Sequence, residues 1–388
     1  MNNKASMKSE MEWIQVTKQI VPTIRKYALE VDQEGKFPLP SINLLREHGL
    51  LGIMVPEEYG GAGTSLETIL QICRIISGAC LSTGMIWAMH VQQAFIVQNY
   101  FSDTLKQRFL HRLAAGEIYV VSVTSDKDAN NGPMSTNSYL CEIDGGYTFQ
   151  RQAPTVTGAA YGDAYLIIIR KGEDNPALSF VLAERNQVKL EVKDSWDSMG
   201  MRGTQSCEIS MECAIPKDQL LHSHDFDTVC NETMNPIAHL VWSACWLGAV
   251  EAEYRNFMSV IRAPNFRKKY NIDSDLLLHD IGNIRMKLDL VESYIKQFAT
   301  YYSEYKSQSN HYSQTYKIKV NNLKLGTSEI LCEVMDSLLQ LSGVRLGYVR
   351  NQDASIEKVY RDIRSSRLML SNEKLKVING KMCFLERS

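Results

Sequence analysis

The sequence predicts an α+β fold in three successive parts. Helical periodicity governs the chain to about residue 117, short β-rich runs bounded by turn residues fill 118–222, and helical periodicity returns over 223–388. These parts read as an N-terminal helical domain, a middle β domain, barrel or sandwich, and a C-terminal four-helix bundle. With 388 residues, 44% hydrophobic and 22% charged, the chain has the length for two or three packed units.

The first helix is expected over Ser9 to Val31, where Met11, Ile14, Val16, Ile20, Ile24, Tyr27, Leu29 and Val31 recur at helical spacing. Pro38 and Pro40 interrupt the chain, and Ser41 offers an N-cap for a helix to His48 that stops at Gly49. Gly60, Gly61 and Gly63 mark a turn before a third helix from Ser65 to Ile76. Two more helices occupy 82–116, the second opening at Ser102 or Asp103 and ending near Gly116. Six β runs follow: Tyr119 to Thr124, Tyr139 to Glu142, Ala164 to Ile169, Leu178 to Leu182, Val188 to Val192 and Cys207 to Met211. Gly, Asn, Asp and Pro clusters between them suggest an antiparallel barrel or sandwich. Four long helical stretches, about 235–262, 274–306, 315–341 and 354–369, complete the chain, with SGVRLGYVR between the last two.

A net charge of −2 gives no reason to expect nucleic acid or an anionic membrane as partner. The apolar run His239 to Val250 is shorter than the roughly 20 residues that span a bilayer, and the first residues lack a secretory pattern, so a cytoplasmic protein is expected. Nine scattered cysteines without a CxxC pair suggest reduced thiols. His222 and His224 have no ligand cluster near them, and no metal site is expected.

The segment FPLPSINLLREHGLLGIMVPEEYGGAGTS, Phe37 to Ser65, resembles the N-terminal signature of the acyl-CoA dehydrogenases. Leu105 to Glu117, Ser122 to Ser125, DSMGMRGTQS (Asp197 to Ser206), the pair Leu247 and Gly248, QLSGVRLGY (Gln340 to Tyr348) and EKVYRDIR (Glu357 to Arg364) follow in the family's order. The resemblance implies FAD between the β domain and the bundle, and a homo-oligomer, dimer or tetramer, in which a neighbouring subunit helps hold the flavin's ADP half. It places Val123, Thr124 and Ser125, then Thr155, Val156 and Thr157, at the isoalloxazine, and Gln340 and Gly343 at cofactor positions. Thr155 stands where the family commonly has tryptophan, Val344 replaces a second glycine, and KDANNGPMS replaces a pyrophosphate-side turn. Arg262, Arg267 and Lys268 are alternative phosphate contacts, and Arg202 is a candidate contact for a phosphopantetheine chain.

In the resembled reaction a carboxylate removes an α-proton while a hydride leaves the β-carbon for the flavin. The position of that glutamate is held by Leu370, and the alternative position on the preceding long helix by Ala238. Glu373, one helical turn beyond Leu370, is the nearest acidic substitute, with His239 and His90 as further candidate bases. Arg361 and Asp362 are expected to form an internal ion pair. Without the base, ordinary α,β-desaturation is disfavoured, whereas oxidation at a hydroxyl-bearing carbon remains open because its proton leaves from oxygen.

The expected function is therefore FAD-dependent oxidation of an acyl thioester on an acyl carrier protein or CoA. It resembles most the branch making aminomalonyl and hydroxymalonyl extender units for polyketide secondary metabolism, of colibactin-cluster type. A flavin monooxygenase on the same fold and a non-catalytic acyl-binding relative are the rivals.

Overall fold

The computed structural model describes residues 8–126, 135–264, 271–306, 313–350 and 356–386. Helix α1 spans Glu10–Glu34, opened by a reciprocal cap between Ser9 and Glu12 and closed by Gly35 in the left-handed conformation at φ 59°. Helix α2 is Leu39–Glu47, and here Ser41 is not the cap: the helix starts two residues earlier, behind Pro38. Proline's fixed φ suits a first helical turn, so the two prolines begin the helix instead of preceding it. Ser65 and Ser102 do cap α3 (Leu66–Ser77) and α5 (Asp103–Ala114), flanking α4 (Leu81–Tyr100), which is buried along most of its length.

The middle region forms two sheets. Strands β1 (Val120–Val123), β4 (Ala164–Arg170) and β5 (Leu178–Glu184) make one in the order β1-β4-β5; β2 (Cys141–Ile143), β3 (Gly146–Thr157), β7 (Ser206–Pro216) and β6 (Val188–Val192) make the other in the order β2-β3-β7-β6. The expectation of an antiparallel domain is corrected at one place, since β1 pairs parallel to β4, Val120 opposite Ala164. Strand β3, twelve residues long, escaped the sequence pattern. Its alternating buried positions Phe149, Arg151 and Ala153 include an arginine, which hides the alternation.

A short helix, α6 (Phe226–Val229), passes through a π-helical turn into α7 (Asn235–Arg262), which packs on α3 and α4. Gly248 explains the Leu-Gly pair: a Cβ there would lie 2.2 Å from the Arg74 carbonyl oxygen of α3. Helices α8 (Asp275–Lys306) and α9 (Gln314–Gly343) run beside α7. The expected fourth long helix, 354–369, is broken into α10 (Ile356–Ile363) and α11 (Ser365–Leu368), and a further helix, α12 (Asn372–Cys383), follows it. One continuous buried cluster joins the N-terminal helices, both sheets and the bundle. No helix of the described residues is long and apolar enough to cross a membrane.

Candidate active site

Two strands expected to contact a cofactor come together at one rim. β1 is an edge strand, and β3 loses its pairing with β7 between Ala153 and Val156. Pro154 lacks an N–H and cannot continue the ladder, so the chain bulges there and leaves Thr155 exposed. The Ser125 hydroxyl donates to the Thr155 carbonyl at 2.8 Å, tying the end of β1 to the bulge. Val123 and Val156 are buried, so they offer only backbone to the rim.

Thr157 joins a row of hydroxyls. Its oxygen lies 2.9 Å from that of Ser206, which lies 2.8 Å from that of Thr204, which donates to the Met201 carbonyl at 2.8 Å. Three hydroxyls supply one proton each and the terminal carbonyl supplies none, so all three bonds are satisfied only when every proton points toward Met201. Thr157 then turns lone pairs, not its proton, outward. Together with the backbone at the bulge, where the ladder to β7 is interrupted between Ala153 and Val156, the rim presents polar groups that suit the edge of a flavin ring.

Arg151, unmarked in the sequence, underpins this rim. It is buried on β3, pairs with Asp126 and donates to the Ser125 carbonyl and to Thr136. A buried charge needs such a partner, and the pair fixes the Ser125 turn against β3. Arg151 and Asp126 lie on separate elements, so spacing gave no signal. The segment KDANNGPM and the candidates Arg267 and Lys268 lie outside the described residues, while Arg262 ends α7 exposed. Gln340 and Gly343 are exposed at the end of α9, with Gly343 at φ 64°, and the turn that follows packs on α9 and α10 rather than on the sheets.

The loop DSMGMRGTQS is held by α10. Arg361 bonds both oxygens of Asp32 at 2.9 and 2.7 Å and also reaches Glu357, while Asp362 takes Lys358 at 2.8 Å and the Met201 amide at 2.6 Å. The expected Arg361–Asp362 pair is thus replaced by two separate ones, because successive helical residues do not face each other. A Cβ on Gly200 would come within 2.3 Å of the Arg361 carbonyl oxygen, so the loop lies directly on α10. Arg202 donates to the Asp32 carbonyl, to Asp197 and to the Ser198 carbonyl, which makes it a pin of this loop.

Leu370 sits in the break between α11 and α12 at φ 46°, one of three non-glycine residues with positive φ among those described; the others, Met201 and Gln205, lie in the loop just described. The conformation is unfavourable for leucine and needs outside support. Lys324 of α9, completely buried, supplies it by donating to the Leu370 carbonyl at 3.2 Å and to the Asn372 side chain. Asn372 is itself anchored, donating to Ser328 at 3.0 Å. No sequence signal marked Lys324, since a lysine on a helix is ordinarily solvated. Burial pushes its amine down to about 8. Between about pH 8 and its ordinary 10.5 the unfolded chain binds more protons than the folded one, so stability should rise with pH across that window. Urea unfolding of Lys324→Met should lack this rise.

Leu370 lines a cavity of about 180 Å³ bounded also by Asn231 and Asn235, by Val320 of α9, and by Leu375 and Ile378 of α12. Glu373 does not share it. Its side chain is 83% exposed and lies 3.5 Å from Lys376, because α12 turns residue 373 outward. The acidic substitute for Leu370 is therefore not brought to the site, and Glu373→Gln should leave turnover within twofold of the parent in a steady-state assay. Ala238 is buried and apolar.

The two histidines separate cleanly. The Val120 amide donates to Nδ1 of His90 at 3.0 Å and Nε2 donates to the Leu51 carbonyl at 2.7 Å, so both nitrogens are spent on structure. Nδ1 of His239 donates to the Val320 carbonyl at 2.9 Å, and buried Nε2 has no hydrogen-bond partner. Burial lowers each to about 4, keeping both rings neutral near pH 7. Only His239 has a lone pair to offer.

Residues 15–117 match the acyl-CoA dehydrogenase N-terminal domain and residues 232–370 the C-terminal domain. The chain belongs to the acyl-CoA dehydrogenase superfamily, whose members are flavin-dependent oxidoreductases and monooxygenases. It is 27% identical over 203 residues to the probable acyl-CoA dehydrogenase YngJ of Bacillus subtilis, covering 51% of this chain and about half (53%) of that relative's length. It is 20% identical over 368 residues to a short-chain-specific acyl-CoA dehydrogenase of Clostridium acetobutylicum, covering 92% and 93% of the two chains. Among solved structures, FMN-bound TdsC from Paenibacillus sp. A11-2 superposes with a TM-score of 0.86 at 20% identity, covering 97% of this chain and 98% of the other.

Proposed function

We propose that the protein oxidises a short acyl thioester at a hydroxyl-bearing carbon, using a bound flavin and no side-chain carboxylate as α-proton base. One observation carries this reading: the residue at the family's base position is Leu370, locked in its turn by Lys324, while Glu373 faces solvent. When bound, the flavin supplies hydride acceptance. Thr155 and Thr157 orient its ring edge, and Ser125 holds the bulge in place. Leu370 and Leu375 give the acyl end an apolar wall.

FAD is the proposed form, its ADP half shared with Gln340 and Gly343 of a second subunit in a homo-oligomer. The apolar exposure of Val344, Tyr348 and Val349 beside those residues is consistent with a subunit contact. An acyl carrier protein is the proposed carrier, and extender-unit formation for polyketide assembly the proposed setting. A second reading, a flavin monooxygenase, is favoured by the likeness to TdsC, a dibenzothiophene monooxygenase that binds FMN. The readings part on electron flow. Bleaching of the protein's own flavin by a carrier-bound 3-hydroxyacyl thioester without oxygen supports the dehydrogenase; oxygen uptake that requires added reduced flavin supports the monooxygenase.

A further inference from the structure

The cavity of about 180 Å³ at Leu370 has two unlike sides. Helix α12 lines it with apolar side chains alone, Ile378 and Met382 among them, whereas Lys317 of α9 and Asn235 at the start of α7 bring polar ends to it. Lys317 carries the charge of the lining, which contains no acidic side chain. Among the described residues its amine has no ion-pair or hydrogen-bond partner, although Lys287, Lys296 and Lys376 of the same bundle are each paired with a glutamate. The side-chain amide of Asn235 is likewise unpartnered among the described residues. An ammonium without a counter-charge, set against an apolar wall that weakens solvent screening, favours an anion in the space between them. An asparagine amide adds a neutral N–H donor for a second oxygen.

We propose that this cavity binds a short aliphatic monocarboxylate, its carboxylate paired with Lys317 and hydrogen-bonded by Asn235, its hydrocarbon tail against Ile378 and Met382. The volume of about 180 Å³ corresponds to roughly six water-sized groups, which matches the heavy atoms of a four-carbon acid. A neutral amide of the same shape keeps the tail contact and loses the charge pairing. Inorganic phosphate keeps a charge and brings no tail, so the α12 side of the cavity gains nothing from it. None of the residues at the flavin rim lines the cavity, and the proposal is of binding alone, with no step at the flavin. A free acid seated there would cover the apolar wall proposed for the acyl end, but its binding does not depend on that reading.

Calorimetric titration of the holoprotein with butyrate, butyramide and inorganic phosphate tests the assignment. Butyrate should bind with a dissociation constant of about 1 mM or tighter. Butyramide should bind about tenfold more weakly, because a charge-assisted pair is lost, and phosphate should also bind more weakly than butyrate. In Lys317→Met the butyrate affinity should fall to that of butyramide, and Ile378→Trp, which fills the tail side, should weaken butyrate and butyramide together. Equal affinity for butyrate and butyramide in the parent, a preference that survives Lys317→Met, tighter binding of phosphate, indifference to Ile378→Trp, or no butyrate binding at all overturns the proposal. Thermal unfolding checks that each variant folds, and Lys317→Gln gives the same comparison should the methionine variant be unstable. Flavin bleaching plays no part in the readout, so a negative result here leaves the flavin reading standing.

Discussion

Leu370→Glu is expected to gain a reaction that the parent performs poorly: bleaching of bound flavin by an unsubstituted acyl thioester such as propionyl-CoA. A positioned general base is typically worth about 10² to 10⁴-fold, and that is the expected gain in the anaerobic rate. The turn at Leu370 is fixed through its backbone carbonyl by Lys324, so the substitution changes the side chain without releasing the turn. The Lys324 amine at the Leu370 carbonyl and Lys317 in the cavity lining favour the charged form of a carboxyl placed there. The new rate should therefore be at its plateau by neutral pH and fall only as pH drops into the ordinary carboxylate range, and stopped-flow traces across pH would show it.

Asp362→Ala is expected to cost about 3–5 kcal/mol of stability, because it leaves the ammonium of Lys358 buried without its counter-charge. It also frees the Met201 amide, which Asp362 holds at 2.6 Å. That loop begins the hydroxyl row ending at Thr157, so the loss should reach the flavin rim as well. Urea unfolding measures the first effect, and flavin affinity, by fluorescence on dilution, the second. The double substitution Lys358→Met with Asp362→Leu should recover much of the stability without restoring the loop.

What the sequence revealed and what it concealed follow from the same physics. Helix starts at Ser9, Ser65 and Ser102 were legible because what fixes each is local, a serine side chain acting on a backbone amide three residues away. Pro38 was misread as a separator because proline both ends one element and begins another. The break at Leu370 was illegible, since a leucine with positive φ is forced by a lysine 46 residues earlier. β3 was masked by Arg151, a charge in the core that looks like a surface residue until Asp126 is seen beside it. At the site, resemblance brought Ser125, Thr155 and Thr157 into view, and the structure joins Ser125 to Thr155 directly. Lys324 and the free nitrogen of His239 depend on contacts between α7, α9 and the turn before α12, which no spacing rule encodes.

The most direct measurement is the visible spectrum of the holoprotein mixed without oxygen with either 3-hydroxypropionyl or propionyl thioester. Rapid loss of the flavin band with the first and little change with the second is the predicted result. Equal bleaching by propionyl thioester would mean that an acidic group reaches the α-carbon after all, and would contradict the carboxylate-free site.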